Sequence, residues 1–248
     1  MDRAAKFVAG AERRQTGEVG SAMTSVKPQA ITPAMEDYLK IIYKLQHETD
    51  KVTTQSISEQ MKVQSPSVTN MVKRMAELHL VEYAPYRGVL LTVSGKKAAL
   101  EVLRHHRLLE LYLKEALGYS WDEVHEEADR LEHSISEEFE ARIDRALGHP
   151  TTDPHGDPIP TPDGEIRPLS DLLLGDLEVG DGAIIERVCD RDPEKLRYLG
   201  QLGLYPSARV QVIERFPFDG PVRVQVGDAQ YIIGRELAQS IHVSRGAS

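Results

Sequence analysis

The chain has 248 residues, 40% of them hydrophobic and 28% charged, and its formal net charge at pH 7 is −9. Such a composition is typical of globular proteins with room for more than one domain. No apolar run approaches the ~20 residues that a membrane-spanning helix needs. The first 26 residues lack the apolar core of a secretory signal, so we expect a cytoplasmic protein with no membrane partner. The single cysteine, Cys189, excludes an internal disulfide framework and a cysteine-rich zinc site, and we expect it to be a small buried residue on a strand.

The charge is unevenly distributed along the chain. Residues 27–107 hold 12 Lys and Arg against 8 Asp and Glu, whereas residues 108–248 hold 14 against 28. A basic half joined to an acidic half is typical of proteins in which one end binds phosphate and the other end has a different task. The asymmetry therefore favours nucleic acid as a partner of the first half.

The first part of the chain predicts a DNA-binding domain. Residues 1–30 lack sustained periodicity and predict a flexible tail. A helix is expected to begin near Thr32, followed by two shorter helices and two β-type runs that surround Arg87. Helix, helix, turn, helix and β-hairpin is the layout of a winged helix-turn-helix domain, which we assign to residues 31–95.

The third predicted helix, over residues 65–78, is the expected DNA reader. Small polar residues at its start suit base edges, thymine methyl groups and phosphates, while its cationic side chains suit the backbone. The alternative is that these hydroxyls are helix caps or ordinary surface groups. The expected DNA contacts are Thr54, Gln55, Ser65, Pro66, Ser67, Thr69, Asn70, Lys73, Arg74 and the wing residue Arg87.

The remainder of the chain predicts three further segments. Long helices are expected over residues 95–117 and 121–147, in a helical domain spanning residues 96–148. Residues 149–168 are rich in Pro, Gly and Asp and are typical of a linker or an ordered surface loop. Residues 169–248 alternate apolar and polar positions between turns, which predicts a small SH3-like β-barrel. The overall fold class is therefore α+β and multidomain.

The stretch HEEADRLEHSIS, residues 125–136, concentrates imidazoles and carboxylates beside an apolar stripe. Asp129, Glu132 and His133 stand at i, i+3 and i+4 and so share one face of a helix, with His125 one turn earlier. Similar groups recur in neighbouring helices at His106, Glu110 and Asp37. Carboxylates converging near a core repel one another, and a divalent cation would remove that repulsion. The alternative is a solvated face with local salt bridges.

Several motifs resemble one family in the right order. They are T-P-x-M-E-D-Y-L, S-P-S-V-T-x-M-V-K-R-M, Y-R-G-x-x-L-T-x-x-G, H-R-L-L-E and E-x-x-x-x-x-E-H. Over residues 31–164 the chain resembles the DtxR/MntR family of metal-dependent transcriptional regulators, and P-H-G-D-P-I-P resembles the connector before that family's SH3-like (FeoA-like) domain. The resemblance implies a metal-binding and dimerisation role for the helical domain. It implies a main effector site of Asp37, Asp129, Glu132 and His133.

The resemblance also indicates which metal to expect. The iron-responsive branch has Met and Cys where this chain has Asp37 and Asp129, and hard oxygen ligands favour Mn²⁺, with Fe²⁺ or another divalent transition metal as alternatives. The manganese branch has a glutamate where this chain has Lys40, which argues against a close two-metal arrangement. A separate second site is expected instead, formed by His106, Glu110, His125 and Asp192. Lys195 is a cation and unsuited to that site, and His105, one residue out of phase, is expected to be exposed.

The expected function is therefore a homodimeric, Mn²⁺-responsive regulator that binds double-stranded operator DNA. It would repress metal-uptake genes when loaded with metal, without catalysis and without a small organic substrate. Three alternatives remain open at this point: a winged-helix regulator that senses an organic ligand, a metalloenzyme, and an activator instead of a repressor. The identity of the metal, iron or manganese, is also open.

Overall fold

The computed structural model describes residues 31–84, 87–189 and 192–245, so the predicted tail over residues 1–30 lies outside it. The first unit contains three helices and a two-stranded antiparallel hairpin. These elements are α1 (Pro33–Glu48), α2 (Thr54–Met61), α3 (Ser65–Glu77), β1 (Val81–Ala84) and β2 (Gly88–Leu91). The apolar faces of α1 and α3 meet in one core around Met35, Leu39, Val68 and Val72, none of which is exposed. The polar face of α3 is thereby directed away from the core.

The helical region contains α4 (Val93–Leu117), α5 (Val124–Leu131) and α6 (Glu137–Ala146). The single helix predicted for residues 121–147 is wrong, because a turn separates α5 from α6. Ser136 ends the turn by capping α6, its hydroxyl accepting a hydrogen bond from the backbone N–H of Phe139. A helical apolar period continues through the break, which is why periodicity alone does not detect it. Glu132 and His133 consequently lie in the turn after α5.

Residues 153–160, within the predicted linker, are all buried. Arg107 on α4 donates to the carbonyl of Pro158 at 2.5 Å and pairs with Asp157 at 2.9 Å. Gly156 has a φ of +92°, and a Cβ there would lie 1.8 Å from the carbonyl oxygen of Glu186. The Pro, Gly and Asp residues of this stretch therefore form an interior segment that packs against α4, and not the surface loop that composition favours.

The last unit is an antiparallel five-stranded sheet in the order β6-β5-β4-β3-β7. Its elements are β3 (Gly182–Val188), α7 (Pro193–Gln201), β4 (Arg209–Arg215), β5 (Val222–Val226), β6 (Ala229–Ile233), α8 (Arg235–Ala238) and β7 (Ile241–Arg245). Trp121, from the helical region, is part of this unit's core. Cys189 is only half-buried and follows the end of β3, so the prediction of a buried strand residue is wrong. Across the described residues, every helix is too short or too polar to cross a membrane.

Candidate metal centre and DNA-reading helix

Lys40 ties α1 to α5 and to the turn that follows it. Its ammonium donates to Asp129 Oδ1 at 2.8 Å and to Glu132 Oε1 at 2.6 Å, and the lysine side chain is only 9% exposed. Burial on its own lowers the pKa of Lys40, but the charges of Glu132 and Asp129 outweigh burial and the pKa is raised. Burial on its own raises the pKa values of Asp129 and Glu132. Lys40 outweighs burial for Asp129, and His106, followed by Lys40, outweighs it for Glu132, so both pKa values are lowered. A buried cation therefore lies among the predicted metal ligands.

His133 is held at both ring nitrogens by carboxylates from α1. Its Nδ1 lies 2.6 Å from Glu36 Oε2, and its Nε2 lies 2.9 Å from Asp37 Oδ1. The sequence indicates Asp37 but not Glu36, because consecutive helical residues point in different directions and their spacing does not reveal a shared partner. An imidazole held on one side by a carboxylate is the usual arrangement of a metal-binding histidine.

His106 connects this cluster to the interior of the molecule. Its Nδ1 lies 2.6 Å from Glu132 Oε2, and its Nε2 lies 3.0 Å from Glu110 Oε1 and 3.1 Å from His125 Nδ1. Burial lowers the pKa of His106, but Glu110 and Glu132 outweigh it and raise the pKa to about 9. Without metal, the imidazole is therefore an internal cation at neutral pH.

The structure divides the predicted effector ligands between two neighbouring donor groups. Asp37, Glu132 and His133 offer ligand atoms that all lie within 4.8 Å of one another, and so do His106, His125 and Asp129. Carboxylate oxygen and imidazole nitrogen are a donor set that suits divalent first-row transition metals. The donor chemistry of the residues present therefore fits a divalent ion. Glu132 has no exposed side-chain surface, and a buried carboxylate needs a cation beside it, a place that Lys40 takes here.

A third donor group lies deeper and contains Glu110, Asp153 and His155, all buried. Glu110 Oε2 and His155 Nδ1 lie 3.8 Å apart, and among the described residues neither atom has a hydrogen-bond partner. Burial, Asp157 and Glu110 raise the pKa of Asp153 well above its ordinary value. Burial lowers the pKa of His155, but Glu110 outweighs it and raises the pKa to about 9. Sequence reasoning missed Asp153 and His155, because only the path of the buried segment brings them to Glu110.

Asp192 does not lie with the predicted second site. Its carboxylate caps α7, accepting from the backbone N–H groups of Glu194 and Lys195. The remaining three predicted members do meet: His125 Nδ1 lies 2.9 Å from Glu110 Oε1 and 3.1 Å from His106. The Asp192 carboxylate is used at the start of its own helix. The order of residues along the chain does not reveal this local role.

The expectation that His105 is exposed is wrong. Its residue exposure is 8%, its Nδ1 lies 3.1 Å from the carbonyl of Glu132, and its Nε2 lies 3.0 Å from Glu140. Burial lowers the pKa of His105, but Glu140 outweighs it and the pKa is raised. Residues 102–110 of α4 are all buried, so every face of the helix is covered there. The spacing of apolar residues therefore does not distinguish buried from exposed positions.

The polar face of α3 is open to solvent. Six of its predicted DNA contacts are exposed, namely Ser65, Pro66, Ser67, Asn70, Lys73 and Arg74. Thr69 is half-buried, and its hydroxyl donates to the carbonyl of Ser65. Outside α3, Gln55 and Arg87 are exposed and Thr54 is half-buried. Exposure of a small polar helix start next to cations is what reading of a DNA groove requires, and the individual contacts stay predictions.

A three-helix unit with a hairpin wing, joined through α1 to buried carboxylate and imidazole clusters, defines the class of metal-dependent DNA-binding regulators. Three family models match the chain. "Iron dependent repressor, N-terminal DNA binding domain" matches residues 30–89, "Iron dependent repressor, metal binding and dimerisation domain" matches residues 92–161, and "FeoA domain" matches residues 172–245. The chain belongs to the DtxR family of metal-dependent transcriptional repressors.

The relatives include both iron-dependent and manganese-dependent proteins. The iron-dependent repressor IdeR of Mycobacterium leprae is 33% identical over 223 residues, covering 85% of this chain and 96% of the relative. A solved manganese-dependent transcriptional repressor in complex with manganese is 40% identical, with a TM-score of 0.79, covering 85% of this chain and 99% of that one. The manganese regulator SloR is 33% identical, with a TM-score of 0.70, covering 87% and 100%. The predicted α+β fold, the predicted family and the predicted SH3-like unit are thereby confirmed, while the identity of the metal is not assigned.

Proposed function

We propose that this repressor responds to Mn²⁺ and that its effector site is formed by Asp37, Glu132 and His133, with Asp129 at its edge. The observation that carries the proposal is that the donors come from both sides of a junction. Asp37 belongs to α1 of the DNA-binding unit, whereas Glu132 and His133 follow α5 of the helical unit. A bound divalent ion would supply positive charge that holds both sets of donors together.

The position of α1 links this site to DNA. The core of the first unit joins α1 to α3, so a change in how α1 is held against the helical unit also moves the reading helix. In a homodimer, the two reading helices must enter major grooves about 34 Å apart, or a multiple of that distance. A coupling of about 1–3 kcal/mol between metal and DNA is sufficient for tens-fold regulation.

The donor chemistry supports manganese. Asp37, Asp129 and Glu132 supply oxygen, and no sulfur ligand is present in the donor groups of the described residues. Oxygen-rich sites suit Mn²⁺, whereas sulfur ligands select softer ions. The manganese-dependent structure at 40% identity supports the same choice. Iron is the second candidate, because the curated relatives at 32–33% identity are iron-dependent repressors.

The deeper group, Glu110, Asp153 and His155, is proposed as a second metal position. It replaces the second site predicted with Asp192. Among the described residues, Glu110 Oε2 and His155 Nδ1 are buried without hydrogen-bond partners, and they lie 3.8 Å apart. Unpaired buried groups of this kind are costly, and a cation between a carboxylate and a neutral imidazole would satisfy both.

The proposal is tested by measuring operator binding in separate titrations with Mn²⁺, Fe²⁺ under anaerobic conditions, and Zn²⁺. The operator is first selected from a random DNA pool in the presence of each ion. We expect Mn²⁺ to increase DNA affinity tens-fold. When the free concentration that each ion needs for this effect is divided by the concentration of that ion in the cell, the ratio should be lowest for Mn²⁺. The double variant Asp129→Ala, Glu132→Ala should lose the response and keep its fold by circular dichroism, while Glu126→Gln, on the exposed side of α5, should respond normally.

A further inference from the structure

Lys40 contacts one carboxylate from each of the two neighbouring donor groups. Its ammonium is 2.6 Å from Glu132 Oε1, in the group with Asp37 and His133, and 2.8 Å from Asp129 Oδ1, in the group with His106. The residue is itself buried. A single built-in positive charge therefore joins the donors of both groups, and it does so from α1, the helix that reaches them from the DNA-binding unit.

Both carboxylate oxygens of Glu132 are engaged. Oε1 accepts from Lys40 and Oε2 lies 2.6 Å from His106 Nδ1. Each carboxylate oxygen has a second lone pair, but an ion that takes Glu132 as a ligand would place its charge beside both of these cations, and repulsion between like charges favours release of one of them. His106 is 1% exposed and held on its other side by Glu110. Lys40 has a long flexible stem, and its ammonium is the partner that can leave.

A cavity of about 460 Å³ lies beside the cluster and offers space for this exchange. Asp37, Lys40, Lys44, Asp129 and His133 line it. The cavity gives an ion access to the donor atoms, and it gives the released ammonium access to solvent. Lys44 lies one helical turn after Lys40 on the same wall and provides a matched control.

We propose that Lys40 is a built-in competitor of the effector metal, which occupies the carboxylates of Asp129 and Glu132 in the metal-free protein and must be released when the ion binds. The inference rests on the proposed effector site. It has two consequences. Lys40 stabilises the metal-free junction between α1 and α5, and it reduces the apparent affinity for metal in proportion to the fraction of molecules in which the carboxylates are free of Lys40. The regulator would then respond only above a higher threshold of free metal.

The test compares Mn²⁺ binding by isothermal titration calorimetry in the wild type, Lys40→Met and the control Lys44→Met. Methionine keeps an unbranched stem and removes the charge. We expect Lys40→Met to bind Mn²⁺ more tightly, by on the order of tenfold, while its metal-free form unfolds at a lower temperature. Lys44→Met should change neither property. Equal or weaker binding by Lys40→Met would overturn the competition, because Lys40 would then be neutral toward the ion or would bind alongside it.

A second measurement uses the wild-type protein and does not depend on whether Lys40→Met folds. Lysine labelled with ¹³C at Cε is followed by NMR during addition of diamagnetic Cd²⁺, and the Lys40 signal is identified by its absence in Lys40→Arg. We expect the signal to move to the position of exposed lysines as the site fills. A Lys40 signal that stays in place while Cd²⁺ saturates the protein refutes release. If the wild type binds neither Mn²⁺ nor Cd²⁺, the effector site itself is refuted, an outcome distinct from both of the others.

Discussion

The cluster around Lys40, between α1 and α5, and the deeper group of Glu110, Asp153 and His155 are built from the same kinds of side chain. Their charges are nevertheless balanced differently. In the first, Lys40 makes close hydrogen bonds to Asp129 and Glu132. In the second, Arg107 comes no nearer to Asp153 than 3.7 Å, and Glu110 Oε2 lacks a hydrogen-bond partner among the described residues. The first cluster can therefore be stable without metal, whereas the second depends on protonated histidines or on an ion.

The largest effect is expected at Glu110, which has no exposed side-chain surface and lies 3.0 Å from His106 and 2.9 Å from His125. Glu110→Gln removes the charge that holds these imidazoles in place. Leaving a buried partner uncompensated costs about 3–5 kcal/mol of unfolding free energy. Urea denaturation of the chelator-treated protein measures this loss. Exposed ion pairs contribute up to about 1 kcal/mol. A loss below that value would show that the interior cluster tolerates the removal of a charge as well as an exposed pair does.

A smaller effect is expected from Glu36, which contacts His133 Nδ1 at 2.6 Å and is not itself in a donor group. Glu36→Gln should weaken Mn²⁺ binding by about 10–100-fold, because the carboxylate orients the imidazole and increases its basicity. Calorimetry measures the affinity, and Glu127→Gln on α5 is the control. Unchanged affinity in Glu36→Gln would mean that His133 is positioned by Asp37 and the turn alone.

The pH dependence of stability separates protonation from metal binding. The pKa values of His106 and His155 are raised to about 9 from an ordinary 6.5. Raised histidine pKa values contribute stability that is fully present below about pH 6.5 and is lost as the pH rises through about 9. The unfolding free energy of the metal-free protein should fall between these values. Metal affinity should rise over the same window, since the ligands must lose their protons.

Denaturant midpoints at pH 6.5, 7.5 and 9, with and without Mn²⁺, measure this dependence. In His155→Gln the decline should be shallower than in the wild type. A flat profile for the metal-free wild type would show that the imidazoles are neutral when the protein is folded. In that case the second cluster would not depend on protonation, and the contrast with the Lys40 cluster would disappear.

The smallest effect is expected at Asp129, whose side chain is 47% exposed although it also contacts Lys40. Asp129→Asn should cost less than about 1 kcal/mol of unfolding free energy, because solvent screens a half-exposed pair. Urea denaturation beside Glu110→Gln gives the comparison directly. A loss as large as that of Glu110→Gln would mean that Lys40 depends on Asp129 and not chiefly on the buried Glu132.

The sequence predicted the parts of the molecule that local patterns determine. Helical spacing and turn residues indicated α1 to α3 and the hairpin, and the i, i+3, i+4 pattern brought Glu132 and His133 together even though helix α5 ends before them. Lys40 departs from the pattern of the manganese branch, but its partners are 89 and 92 positions away, a distance that no local pattern reports. Asp153 and His155 were missed for the same reason. Their stretch has the composition of a loop, and only long-range packing against α4 buries it.

If a metal ion held between α1 and the turn after α5 controls DNA binding, removing the Glu132 carboxylate must remove the response of DNA binding to metal. Fluorescence anisotropy of a labelled operator is recorded for the wild type and Glu132→Gln over a titration with Mn²⁺. We expect Mn²⁺ to strengthen DNA binding tens-fold for the wild type, in keeping with a coupling of about 1–3 kcal/mol, and to have no effect on the variant. An undiminished response to Mn²⁺ in Glu132→Gln would contradict this expectation.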